Sequence, residues 1–316
     1  MTPFSPEAYV PDLAIETTGL IRCYGSAAAV DGISLRVPSG SIYGFLGPNG
    51  AGKTTTIRLL LGLIKPSAGT VRILGKDLRA HRALILSRVG ALVETPALYS
   101  HLTGKGNLEV TARLLAIDRE RIDDVLHTVG LADDADKKVG AYSTGMKQRL
   151  GLALTLINRP AVLILDEPTN GLDPQGIREV RDLIQSFPQR FGVTVFLSSH
   201  LLSEVEQIAT HIGIIHNGRL RFQGTLQDLH GAHANTVVLR VDNQPEAIKI
   251  LSARGWVITE SEDQTLRVRA STDEERARMN AELIRAGIQV YQLSLHERSL
   301  EDIFVQMTTG TEGGGA

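Results

Sequence analysis

A chain of 316 residues allows one large domain or two modest ones, and its 42% apolar content supplies a substantial core. Charged residues make up 22% and the formal net charge is -2, which excludes a basic field for nucleic acid and a polybasic patch for an anionic membrane. Cys23 is the only cysteine, so no intramolecular disulfide can form and an oxidising compartment finds no support.

The amino terminus, Met1 to Asp12, contains Pro3, Pro6 and Pro11 and lacks a cationic start followed by an apolar stretch, unlike a secretory signal. The longest apolar runs, Leu59–Ile64 and Gly151–Ile157, fall well short of the roughly 18–20 residues that span a bilayer. The expectation is a soluble, cytoplasmic protein.

From Ala14 to Gly231 short β-branched runs alternate with helical stretches. Strands are predicted at Ile42–Leu46, Val71–Ile73, Ala161–Leu165 and Val193–Leu197, and helices at Thr55–Ile64, Gly145–Leu156 and Pro174–Ser186. The last two strands are almost wholly apolar, as strands buried on both faces of a parallel sheet must be. This alternation predicts an α/β domain.

The segment His230–Asn235 reads as a linker. Beyond it Val237, Leu239 and Val241 alternate with polar residues, Pro245–Arg254 forms a helical stretch, and Trp256–Thr259 a strand. Leu266, Val268 and Ala270 mark a further half-buried strand. Thr272 and Glu275 make a capping box for a helix ending at Gly287, followed by a strand at Ile288–Leu295 and a helix at Leu300–Met307. The order β-α-β-β-α-β predicts a small ferredoxin-like α+β unit. The expected division is therefore a tail (1–13), an α/β domain (14–231), an accessory α+β domain (236–308) and a glycine-rich disordered tail (309–316).

Gly47-Pro48-Asn49-Gly50-Ala51-Gly52-Lys53-Thr54 matches G-x-x-x-x-G-K-[ST], between a predicted strand and a predicted helix. Glycines let successive N–H groups turn inward around an anion at the positive end of a helix. Lys53 adds a point charge for the β- and γ-phosphates, and the Thr54 hydroxyl is a ligand suited to Mg²⁺. A glycine-rich turn closing a strand–helix connection is the plainer alternative, but the full eight-residue pattern in this context favours a nucleoside triphosphate cradle.

Ala161–Leu165 runs into Asp166 and Glu167. Successive side chains on a strand point in opposite directions, so the two acids serve different tasks. Asp166 is the candidate for holding Mg²⁺ through its water shell, and Glu167 for orienting and polarising the attacking water. Solvated acids at a strand end would be unremarkable alone; beside the phosphate cradle they read as functional.

With these motifs in place, about Ala14–Gly224 resembles the nucleotide-binding subunit of ATP-binding cassette (ABC) transporters. Tyr142-Ser143-Thr144-Gly145-Met146-Lys147-Gln148 stands where that family carries its signature, with Ser-Thr-Gly-Met in place of Ser-Gly-Gly-Gln. Pro168-Thr169-Asn170-Gly171-Leu172-Asp173 is similar to the stretch containing the D-loop, and Ser198-Ser199-His200 to the switch-histidine motif. The resemblance implies a P-loop NTPase cassette, a mixed sheet with a helical subdomain, that hydrolyses ATP with Mg²⁺. It implies nucleotide contacts from Gly47 through Thr55, Tyr24 stacked on adenine, and His200 at the γ-phosphate. Ser143, Thr144, Gly145 and Met146 would face ATP held by a second copy or a paralogue, with Asp173 in the D-loop. Glu94 stands where the family usually has glutamine, as in bacitracin-resistance and lantibiotic-immunity exporters, and would join the nucleotide and metal site. Thr95–Asn107 is the expected docking surface for a separate transmembrane permease, placing the protein peripherally at the cytoplasmic face of the inner or plasma membrane. The expected cargo is a peptide antibiotic or drug. A cassette ATPase acting on ribosomes or DNA would carry two cassettes or a long coiled coil, and a small-molecule kinase a second substrate pocket; neither pattern is present. The carboxy-terminal unit, with Ser299-Leu300-Glu301-Asp302-Ile303-Phe304, resembles domains appended to such exporter subunits.

Overall fold

The computed structural model describes residues 12–232, 236–262, 265–269, 272–296 and 300–309. Most of both predicted tails, linker residues 233–235, Ala270 and Ser299 lie outside the described residues. The chain divides into two compact units, Met1–Leu226 and Gln227–Ala316.

The first unit opens with β1 (Leu13–Tyr24), β2 (Ala27–Ile33), β3 (Arg36–Pro38), β4 (Ile42–Leu46), α1 (Lys53–Leu60), β5 (Ala68–Ile73) and β6 (Lys76–Asp77). It continues through α2 (Arg82–Leu86), β7 (Val89–Leu92), α3 (Gly104–Leu115), α4 (Glu120–Thr128), α5 (Thr144–Leu156) and β8 (Val162–Asp166). α6 (Pro174–Phe191), β9 (Thr194–Ser199), α7 (Leu202–Ile208), β10 (His211–His216) and β11 (Arg219–Thr225) complete it.

Six strands form the central sheet in the order β11-β10-β4-β9-β8-β7, parallel except for the β10–β11 hairpin. Every residue of β4, β8 and β9 is buried, the outcome predicted for β8 and β9 from their apolar runs. Phe196 of β9 fills the centre between Tyr43 and Phe45 of β4, with ring centroids 5.6 and 5.3 Å away. Parallel register brings the carboxyl ends of β4, β9 and β8 together: Leu46 pairs with Ser199, and Asp166 with Ser198. In such sheets that edge is where ligands bind.

A second, antiparallel sheet pairs β2-β1-β5-β6, with β3 against β1. Only its β5 was predicted, because the long β1 mixes glycine, threonine and charge and shows no clean alternation. α1 stops at Leu60 rather than at Ile64, since Gly62 takes φ 62° and the Leu63 N–H turns back to Arg58 O at 2.9 Å. α6 runs past the predicted end at Ser186, through Pro188 to Phe191. Buried Phe187 anchors that last turn, and Gly192 ends it at φ 64°.

The second unit contains α8 (Leu226–Ala232), β12 (Thr236–Val241), α9 (Gln244–Ala253), β13 (Ile258–Glu262), β14 (Thr265–Arg269), α10 (Asp273–Arg285), β15 (Val290–His296) and α11 (Leu300–Thr309). The predicted linker is thus helical over its first three residues, with Leu229 of the same helix fully buried. The sheet order β13-β14-β12-β15, antiparallel throughout, is that of a ferredoxin-like unit. Val237, Leu239, Leu266 and Val268 pack against Leu251 of α9 and against Met279 and Leu283 of α10. Both bonds of the predicted capping box form: Glu275 N–H donates to Thr272 Oγ1 at 3.2 Å, and Thr272 N–H to the Glu275 carboxylate at 3.1 Å. Thr272→Ala removes one of them and should destabilise this unit by about 1 kcal/mol, read as a lower midpoint in denaturant unfolding.

Candidate functional site

The loop from Gly47 to Gly52 leaves β4 and turns into α1 with glycine required at two points of close approach. A Cβ on Gly47 would lie 2.5 Å from Ile215 O, and one on Gly52, at φ 109°, 2.4 Å from Ala29 O. α1 therefore begins with no side-chain cap, its first N–H groups left for an anion. Lys53 is buried; its ammonium donates to Gly47 O at 2.7 Å and lies 3.2 Å from Glu167 Oε1.

Glu167 sits just beyond β8 at φ 49°, a left-handed conformation that costs a non-glycine residue roughly 1–3 kcal/mol. Its surroundings hold it there. The Glu167 N–H donates to Ser198 Oγ at 3.0 Å, and its Oε2 lies 2.6 Å from His200 Nδ1. The Ser198 hydroxyl in turn donates to Asp166 Oδ1 at 2.6 Å. One hydroxyl on β9 thus ties together Asp166, at the end of β8, and Glu167 just beyond it; because Glu167 is left-handed, the strand alternation expected to separate the two acids stops at Asp166.

These groups border a cleft of about 360 Å³ lined by Ala29, Pro48, Asn49, Gly50, Gly52, Lys53, Thr54, Thr55, Glu167, Asn170 and His200. The size is that of a small-molecule site. Gly47 and Ala51 are not in the lining: Ala51 belongs to the hydrophobic core and Gly47 packs on Ile215. Asp166 is only 2% exposed, bonded to Ser198 behind the lining.

A family model described as ABC transporter matches residues 30–170, and one described as ATP-binding protein DrrA1-3-like, C-terminal domain, matches residues 224–308. The bacitracin transport ATP-binding protein BcrA of Bacillus licheniformis is 43% identical over 300 residues, covering 94% of this chain and 97% of its own. The daunorubicin/doxorubicin resistance ATP-binding protein DrrA of Streptomyces peucetius is 36% identical over 308 residues, covering 94% and 93%. The chain belongs to the ABC transporter family. The solved structure of cbiO1 from Clostridium perfringens, part of the ABC transporter complex cbiONQ, agrees with it at a TM-score of 0.65 and 26% identity, over 78% of this chain and 96% of that one.

This ABC subunit binds and hydrolyses ATP. Among the described residues no helix is long and apolar enough to cross a membrane. Subunits of this family pair with a transmembrane permease and form dimers. A hard cation suits the donors present: the Thr54 hydroxyl borders the cleft, and the Asp166 carboxylate belongs to the residue directly before Glu167, which also borders it. No group of three or more His, Cys, Asp or Glu that could hold a metal occurs among the described residues.

The other predicted residues divide. Ser143 caps α5, accepting the Met146 N–H at 3.2 Å, and Ser143 and Thr144 are exposed and apart from the cleft. Asp173 caps α6 through the Gly176 N–H at 2.8 Å, also outside the lining. Glu94, expected at the nucleotide and metal, does not line the cleft: at φ 61° its carboxylate pairs with Arg58 of α1 at 2.5 Å. Tyr24 is half exposed at the end of β1 and outside the lining, with the Arg22 guanidinium 4.6 Å from its ring centroid. Sequence reasoning named Asn170 and Ser198 only as members of the D-loop stretch and the switch-histidine motif, without roles of their own, and did not name Ala29. Ser198→Ala leaves buried Asp166 without that bond, and should cost roughly 1–3 kcal/mol of stability in denaturant unfolding while lowering ATP turnover.

Proposed function

We propose that two copies of this subunit, or one copy and a paralogue, clamp two ATP molecules between them and energise export of a peptide antibiotic or drug through a separate permease. The observation that carries this reading is the Lys53–Glu167–His200 chain bordering the cleft, while the Ser143 end of α5 stays outside it and open to solvent. A cleft whose own chain leaves the signature helix elsewhere calls for a second molecule to supply one.

In this reading the loop N–H groups and Lys53 hold the β- and γ-phosphates. A γ-phosphate competes with Glu167 Oε1 for the Lys53 ammonium, freeing that oxygen to accept a proton from water. The water oxygen bonds to the γ-phosphorus as the bond to the β–γ bridging oxygen breaks, giving ADP and phosphate. His200 holds the other carboxylate oxygen and so fixes the direction of proton acceptance. Thr54 and Asp166 would hold Mg²⁺, which supplies neutralising charge to the phosphates. Tyr24 supplies an exposed ring for adenine at the end of β1.

The permease is proposed to dock in the groove of about 360 Å³ beside β7 and α5, lined by Leu86, Leu92, Pro96, Ala97 and Leu154 among others. A neighbouring hollow of about 390 Å³ shares Leu86, Leu92, Pro96 and Ala97 and adds Leu63, Thr95 and Leu61. Leu115 of the first hollow and Leu63 of the second are exposed apolar side chains. Of the segment Thr95–Asn107 expected to dock the permease, Pro96 and Ala97 line this groove, opposite Gly151, Leu154 and Thr155 of α5. Attachment there places the subunit at the cytoplasmic face of the membrane. Peptide antibiotics or drugs are the cargo class because relatives named for bacitracin transport and for daunorubicin resistance align over nearly the whole chain.

Glu167→Gln removes the proton acceptor alone and should lower turnover roughly 10²-fold or more while ATP now yields a stable dimer on gel filtration. A variant with wild-type hydrolysis would remove Glu167 from the chemistry. Ala97→Asp places a charge in the apolar groove; it should abolish co-purification with the permease and leave ATP affinity of the isolated subunit unchanged.

A further inference from the structure

Gln148 lies one turn inside α5 and is 7% exposed. Its side-chain amide donates to Pro168 O at 2.6 Å, across twenty residues of sequence. Pro168 follows Glu167 directly. The turn that starts there closes with the Asn170 N–H donating to Glu167 O at 3.1 Å, and Asn170 itself borders the cleft. The strained Glu167 is thus held from two sides: by Ser198 of β9 at its N–H, and by Gln148 of α5 through the next carbonyl.

The neighbouring residue on α5 is tied the other way. Arg149 Nη1 donates to Val129 O at 3.1 Å and Gly130 O at 3.0 Å, the carbonyls that end α4. The start of α5 is therefore braced between the helical layer and the catalytic turn, with Ser143 at its tip. A buried amide bonded to a carbonyl is costly to break, because the carbonyl left behind has no water to take its place.

We infer that Gln148 is a positioning residue that couples the two nucleotide sites: it transmits the placement of the signature helix, set by the partner's ATP, to the Glu167 that acts on this chain's own ATP. The inference rests on the two-site clamp proposed above. A shift of α5 as Ser143, Thr144 and Gly145 engage a phosphate pulls on Pro168 O through Gln148 and turns the Glu167 carboxylate. Hydrolysis at one site then depends on occupancy of the other.

The test uses the full chain with Gln148→Glu, which keeps shape but loses the donor, and Gln148→Lys, which keeps a donor. Gln148→Glu should lower kcat about tenfold, leave ATP affinity within about twofold, and abolish cooperativity in ATP; Gln148→Lys should restore part of both kcat and cooperativity. Unchanged kcat and cooperativity in Gln148→Glu overturn the inference. Equal losses of kcat, ATP affinity and melting temperature in both variants also overturn it, since that pattern marks a folding role. ATP-induced dimerisation of Glu167→Gln, measured separately, reports on the clamp itself. A failed dimer sinks the clamp, whereas a normal dimer with an indifferent Gln148 sinks only the coupling.

Discussion

The Ser198 hydroxyl holds the site in shape. It donates to Asp166 and accepts from the Glu167 N–H, at the point where β8 and β9 end side by side. Both neighbours need it for different reasons. Asp166 is buried and its carboxylate must be hydrogen-bonded to remain so. Glu167 occupies a left-handed backbone that an extended strand would never reach, and a fixed acceptor for its N–H offsets part of that strain. The parallel register makes this possible, because adjacent strands finishing at the same level bring a hydroxyl from one under two acids of the other. The P-loop stands on β4, the neighbour on the other side of β9. Three strand ends thus deliver phosphate cradle, anchor and acids to one edge of one sheet.

What could be read from the sequence was what depends on residues close together along it. The cradle is eight consecutive residues, two of whose glycines, Gly47 and Gly52, lie where a Cβ would clash. The strands Ile42–Leu46 and those before Asp166 and His200 declared themselves by apolar runs, and the second unit by alternation at Val237, Leu239 and Val241 and by a capping box four residues long. The antiparallel sheet around β1 was nearly invisible, since its strands are defined by pairing with distant partners and carry glycines and charges at irregular places. The helix predicted to end at Ser186 continues through Pro188 to Phe191, its last turn anchored by buried Phe187.

The candidate site divided along the same line. The groups proposed to react were picked out by local motifs; how they are held was not. Ser198 and Gln148 act through partners 31–32 and 20 residues away. Glu94 was placed by analogy at the metal, but it pairs with Arg58, 36 residues back on α1. No spacing in the sequence announces any of these contacts.

The Glu94–Arg58 pair also shows which force sets the loop that follows β7. The two side chains are 62% and 42% exposed, so the pair contributes about 0–1 kcal/mol and weakens with salt. That is no more than the cost of Glu94's own left-handed φ, which is on the order of 1–2 kcal/mol. The ion pair cannot be what fixes the loop. Pro96 does more: it seats on Gly151 of α5 so closely that a Cβ there would lie 2.6 Å from the Pro96 ring. Gly151 is eight residues beyond Ser143, about 12 Å along the same helix, with Gln148 between them. One short helix therefore carries Ser143, the bond to the turn after Glu167 and the seat of Pro96 in the proposed docking loop. Any rigid displacement of α5 moves all three together, which is the mechanical requirement for exchanging ATP chemistry against movement in a membrane partner.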